Sequence, residues 1–326
     1  MKKIISDFIC SSDYAAYKRR GDICYVAAVK RVFDYLFEHT YTDSEVYFLI
    51  NGLGIKYIHK VDFLGYDFED LRNNYFSEIL DIQLEKNQDL ILSEMEQSIT
   101  NNVPVICFLR SAFLRYHKVF IESSRNEAHA IIIVGIDVGN NEVLFIDNHI
   151  KVGYEQFESY IGKMSINEFM EAWICSWKFK RKELEIGNKK ELIHNNLRRF
   201  VENSKVGTIE YGLSALKNYF LYNKNIEENL FNIRCEQINF DIIINGPCHL
   251  SNYLDKLTLD YGISNKTGEG YDFYNRWNNI ANMFLISAYQ KNKYRFNNAI
   301  EKSFCTLNDM ERYIKVIMNN LQGDKS

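Results

Sequence analysis

Apolar side chains at Val26, Val29, Val32, Phe33, Leu36 and Phe37 recur at the helical period with no Gly or Pro among them. That spacing predicts a helix from Cys24 to His39. Gly21-Asp22 stops whatever precedes it and sets Cys24 in the first turn. Thr42-x-x-Glu45 reads as a capping box ahead of Val46-Tyr47-Phe48-Leu49-Ile50, and Asn51-Gly52-Leu53-Gly54 ends that helix. Helical spacing returns over 69–81 and from Leu90 to Ile99. Three short β-rich runs follow: Val103 to Phe108, Ala130 to Ile136, and Val143 to Ile146. The turn Asp137-Val138-Gly139-Asn140-Asn141 joins the last two into an antiparallel hairpin. Ser165-x-x-Glu168 opens a capped helix over 166–173, and Ile174 to Arg181 predicts an edge strand.

The pattern changes near residue 182. Lys182 to Glu191 is charged and carries a glycine, as a linker does. Beyond it the periodicity is helical: Leu192–Val201, Tyr211–Leu221, Leu250–Leu257, Tyr271–Tyr289 and Leu307–Met318. No tandem repeat and no low-complexity tract interrupts it. The expected class is therefore α+β, with a mixed domain over 1–182 and a mainly helical domain over 190–326.

Composition narrows the function. The chain has 326 residues, 46% of them hydrophobic and 25% charged, with a formal net charge of -4. A globular protein with a sizeable core fits these values, whereas a nucleic-acid binder would carry a basic field. No apolar run of about 18 residues predicts a membrane span. Asp7 and Asp13 break the apolar start too early for a signal peptide, so the expected compartment is the cytoplasm. The seven cysteines (10, 24, 107, 175, 235, 248, 305) include no CxxC pair. In a reducing compartment most such cysteines are small core residues rather than disulfide partners.

Three residues depart from that background when taken together. A cysteine at a helix start, as at Cys24, meets unpaired N–H groups and the positive end of the dipole. That setting makes thiolate available near neutral pH, and the Cys24 N–H can face a developing oxyanion. His129 stands immediately before the Ala130 to Ile136 strand, where a sheet can aim the imidazole. Asp147 ends the next strand, so a short hairpin brings its carboxylate beside His129 to accept the Nδ1–H. Asn148 next door offers an amide for the same orienting role. Each residue alone has an ordinary reading: a packed thiol, a His on a carbonyl, a strand-end Asp. Lesser candidates are Gly52 and Gly54, as a turn letting backbone approach a pocket, and Tyr57 and Tyr116, as its lining. His149 has no HxxE or CxxC spacing beside it, so no metal site is expected.

The order Cys24, His129, Asp147 resembles that of papain-like peptidases, transglutaminases and arylamine acetyltransferases. A closer likeness lies in Gly21-Asp22-Ile23-Cys24 and in Ser44-Glu45-Val46 through Gly52-Leu53-Gly54-Ile55-Lys56-Tyr57. Together with Asn102-Val103-Pro104-Val105, His129 through Asp137, Gly246-Pro247 through Leu254, and Trp277-Asn278-Asn279-Ile280-Ala281, these stretches resemble the butirosin biosynthesis H family. The resemblance is patchy and covers most of the chain. It implies a papain-like fold, a Cys-headed helix packed on an antiparallel sheet, followed by a helical domain. It also implies amide formation in natural-product biosynthesis. An acyl group passes from a carrier protein (acyl or peptidyl) to Cys24 and then to a small amine. The phosphopantetheine arm of that carrier is the donor and no cofactor is bound. Hydrolysis by the same three residues, as a peptidase or thioesterase, is the enzymatic alternative, and a non-catalytic binding protein is the other. Two departures stand out. Ile23 occupies a place where the family often has His, and no Gln precedes position 83 to complete an oxyanion hole. That leaves backbone near Tyr17, Lys18 or Asp22 as candidate donors.

Overall fold

The computed structural model describes residues 2–10, 23–37, 41–50, 54–66, 80–83, 87–118, 126–153, 156–180, 189–202, 205–263 and 272–322. In chain order its strands are β1 (Lys2–Ile4), β2 (Ile55–Ile58), β3 (Phe63–Tyr66), β4 (Leu80–Gln83), β5 (Val105–Arg110), β6 (Ala128–Asp137), β7 (Glu142–Gly153), β8 (Gln156–Ser165), β9 (Trp173–Phe179), β10 (Lys205–Val206) and β11 (Ile209–Tyr211). Among the described residues every strand pair is antiparallel, and helices make up much of the rest. The class is α+β.

The chain forms two compact units, Met1–Thr42 with Phe76–Glu185, and Asp43–Tyr75 with Ile186–Ser326. The divide near 182–190 is where the sequence pattern changes. Residues 43–75, however, were expected in the first domain and belong to the second unit. Side-chain pairing explains the correction. In the helix Asp43–Leu49, Ser44 donates to Asp260 at 2.5 Å, and Glu45 accepts from Tyr261 at 2.8 Å and pairs with Lys189 at 2.9 Å. Tyr47 stacks on Tyr253 with ring centroids 4.1 Å apart. β2 and β3 complete a four-stranded sheet in the order β10-β11-β2-β3.

The first unit is built on a seven-stranded sheet in the order β4-β9-β5-β6-β7-β8, with β1 paired to β6. Neighbouring side chains on a strand point to opposite faces, and here both faces are covered. Val105, Cys107, Leu109, Ile131, Ile133, Val143 and Phe145 meet Ile91 and Met95 of the helix Gln88–Thr100 and Phe169 and Met170 of the helix Ile166–Ala172. Phe108, Trp177 and Phe179 point the other way, against Tyr25 and Phe33 of the helix Cys24–Leu36. Burial on both faces explains why β5 and β6 read as unbroken apolar runs. The Ser165 capping box forms with both of its hydrogen bonds.

Several expected boundaries move. Leu80 and Asp81, expected at the end of a helix over 69–81, belong to β4; the rest of that segment lies outside the described residues. β9 lies between β4 and β5 rather than at an edge, because β4 covers it. β7 continues to Gly153, since β8 pairs along its length across irregularities after Asp147 and Lys151. The cysteine helix is described to Leu36. In the second unit the last helix, Lys293–Gln322, has 30 residues, far more than the expected Leu307–Met318. Trp277 against Phe220 and Phe284 against Phe296 are among the unit's aromatic contacts.

Candidate active site

Cys24 is the first residue of its helix, entered from an extended Ile23 whose side chain makes no capping hydrogen bond. The thiol is half-buried. Other cysteines differ in kind. Burial pushes the Cys107 thiol well up and the Cys175 and Cys235 thiols up to about 12, which leaves them packed and unreactive. Cys248 is buried, and Cys305 is exposed on the last helix.

His129 is the second residue of β6, directly opposite Leu109, not ahead of the strand as expected. Its ring is 3% exposed. Asp147 sits in the middle of β7, opposite Tyr160, rather than at a strand end. Its carboxylate is fully buried. The pairing of Ile132 with Ile146 carries His129 and Asp147 to the same face one step apart, within each other's reach.

The imidazole bonds Asp147 Oδ2 through Nε2, at 2.8 Å. The expectation had assigned Nδ1 to this contact. On the other side, the Cys24 sulfur acts on His129 through charge and a side-chain hydrogen bond. The cysteine, histidine and aspartate thus form one chain of contacts. Burial acts most strongly on His129 and works against its protonation. The Asp147 carboxylate and the Cys24 sulfur outweigh it through charge and hydrogen bonding, and His129 rises from 6.5 to about 10.

Asp147 Oδ2 also accepts from the Tyr116 hydroxyl at 2.9 Å. Tyr116 follows the short 3₁₀ turn Ser111–Phe113 and stacks on Tyr160, centroids 4.5 Å apart and planes at 19°. The His117 ring lies edge-on to His129 at 5.5 Å. Burial, then the Asp147 charge, drives the Tyr116 phenol far above its usual value, so it remains a donor.

Asn148 does not orient His129. It is buried, and its Oδ1 accepts from Arg31 Nη1 at 2.6 Å. Arg31 lies seven residues along the cysteine helix, is 4% exposed, and also donates through Nη2 to the Phe8 carbonyl at 3.2 Å. Its guanidinium rests over the Phe8 ring, 4.8 Å from the centroid. This clamp between the Cys24 helix and β7 went unread in the sequence. The signal was there: a charged residue at 31, on the face shared by Cys24, Ala27 and Ala28.

The structure therefore brings Cys24, His129, Asp147 and Tyr116 together in the first unit. Gly54 and Tyr57 belong to the second unit, where both are buried. The Tyr57 hydroxyl donates to Asp62 at 2.9 Å and its ring packs edge-on to Tyr219 at 5.5 Å. Gly52, and the backbone at Tyr17, Lys18 and Asp22, lie outside the described residues. Among the described residues no group of three or more His, Cys, Asp or Glu is placed to hold a metal ion. No helix among them is long and apolar enough to cross a membrane. Compared with known proteins, the chain matches no family model and no curated protein.

Proposed function

We propose that this protein is a cysteine-dependent acyltransferase of papain-like architecture. In this reading it forms an amide by moving an acyl group from a carrier-protein thioester to a small amine. One observation carries the nucleophile: His129 joins the Cys24 thiol on one side to the buried Asp147 carboxylate on the other. The choice of donor and acceptor rests on the resemblance to the butirosin biosynthesis H family. The papain-like amide synthetase of the closthioamide pathway, which joins carrier-bound acyl units to a diamine, is a narrower example of the same chemistry.

The steps follow from the residues. The Cys24 thiolate attacks the thioester carbonyl carbon, and collapse of the tetrahedral intermediate expels the phosphopantetheine thiolate. The His129 imidazolium gives that leaving sulfur its proton, from the nitrogen facing Cys24. The neutral imidazole then takes a proton from the amine as its nitrogen bonds the acyl carbon. Expulsion of the Cys24 thiolate restores the thiolate–imidazolium pair. Throughout, Asp147 holds the Nε2–H and with it the orientation of the ring. The first step exchanges one thioester for another and needs little driving force; amide formation makes the sequence irreversible in practice.

Partitioning tests this reading against hydrolysis. The protein is incubated with an acyl thioester, with and without an amine, and acid and amide are followed together. Transfer predicts amide at the expense of acid as amine is added. Rapid acid formation that no amine diverts would replace it with a peptidase or thioesterase.

A further inference from the structure

The carboxylate that anchors His129 carries a second donor, and nothing in the proposed steps uses it. We propose that Tyr116 is a positioning residue for this site: its hydroxyl fixes the rotation of the Asp147 carboxylate and helps to keep it ionised, so that Nε2 of His129 is always met by an anion. The inference rests on the reading of Cys24 as a nucleophile held by His129.

Three observations support it. The two donors converge on one oxygen, Oδ2, from His129 at 2.8 Å and from Tyr116 at 2.9 Å. Two directional bonds to a single oxygen leave the carboxyl group little freedom to turn about its own axis. Asp147 has no exposure, so its charge is stabilised by protein donors rather than by bulk water, and hydrogen bonds to the charged form hold it ionised. Finally, the donor is itself held. The Tyr116 ring packs against both Tyr160, 4.5 Å away, and Phe145, 5.4 Å away, and those two rings lie 6.0 Å from each other. A phenol clamped in this way keeps its oxygen in place without an entropic loss each time the site is used. Among the described residues, titratable groups that face the pair include Cys24 and His117 against the imidazole and Tyr160 against the phenol.

A graded series at position 116 tests the role. Tyr116→Phe keeps the ring and removes the donor, whereas 3-fluorotyrosine at 116 keeps the fold and strengthens it. Tyr160→Leu removes the stacking partner and leaves the hydroxyl. The readout is the pH profile of iodoacetamide labelling at Cys24, located by peptide mass spectrometry, together with kcat and KM for acyl transfer. Loss of one hydrogen bond to a buried charge moves the acid limb of the Tyr116→Phe profile upward by about one pH unit. It also lowers kcat about ten-fold with KM unchanged. The fluorotyrosine protein shifts the limb the other way, and Tyr160→Leu, which loosens the ring but keeps the donor, shifts it by less than Tyr116→Phe. A Tyr116→Phe profile superimposed on the wild type overturns the inference. So does an equal shift in Tyr160→Leu, which would make the effect one of packing. Should Tyr116→Phe fail to fold, an unshifted fluorotyrosine profile is enough to overturn it. Failure of the underlying reading is separately visible, because the wild type then shows neither fast labelling nor acylation at Cys24.

Discussion

Replacing Asp147 by asparagine keeps the size and shape of the side chain and removes its charge. The carboxylate is the foremost of the groups that raise His129, and it does so against burial, the strongest influence on that ring. With the charge gone, only the Cys24 sulfur still opposes burial, and His129 falls back toward its ordinary 6.5. At pH 7.5 the wild-type imidazole, raised to about 10, is almost wholly protonated. In the variant about a tenth of the molecules are. Loss of the thiolate–imidazolium pair alone therefore slows alkylation of Cys24 about ten-fold at that pH. Acyl transfer falls further, toward about 10⁴-fold, wherever the ring also adopts the wrong tautomer. The assay is the rate of iodoacetamide incorporation at Cys24 between pH 5 and 10, in a Cys305→Ser background that removes the exposed competing thiol. If the Asp147→Asn and wild-type profiles coincide, the carboxylate does not govern the imidazole and the account of the site is wrong.

Three further outcomes follow from the same structure. His129 lies above its unfolded value, so its contribution to stability is complete below pH 6.5 and is lost as the pH rises through about 10. The gap in melting temperature between wild type and His129→Gln should shrink across that window; a constant gap would contradict the ion pair. Arg31→Met leaves Asn148 Oδ1 and the Phe8 carbonyl without their bonds to the guanidinium, and should cost about 3 kcal/mol in urea unfolding. A loss below about 1 kcal/mol would show that the clamp is not needed. Gly212 has φ +62°, and a Cβ there would strike the Phe200 carbonyl. Gly212→Ala should therefore cost about 2 kcal/mol or more, read from the shift in unfolding midpoint.

Much of the first unit was legible because its signals are local. The apolar period after Cys24, the Asp137 to Asn141 turn and the Ser165-x-x-Glu168 box each fix an element within a few residues, and each element forms. The second sheet was missed. β2 and β3 are four residues each, and β11, the other partner of β2, lies about 150 positions away, so no window of sequence contains that second pairing. For the same reason the Asp43–Leu49 helix could be read as a helix but not assigned to its unit. At the site, residue types in order were enough to select Cys24, His129 and Asp147. Which ring nitrogen meets Asp147 depends on side-chain direction at a specific register, and no spacing encodes that. Tyr116 was singled out as an aromatic near a pocket, but its value lies in the hydroxyl, and only the fold shows where that oxygen points.

The central claim is that Cys24 takes up an acyl group. Intact-mass spectrometry of the protein mixed with carrier-bound acyl thioesters measures this directly. The account predicts a gain of one acyl mass in the wild type, absent in Cys24→Ala and discharged when an amine is added. An acyl adduct that persists in Cys24→Ala, or full turnover by that variant, would contradict it.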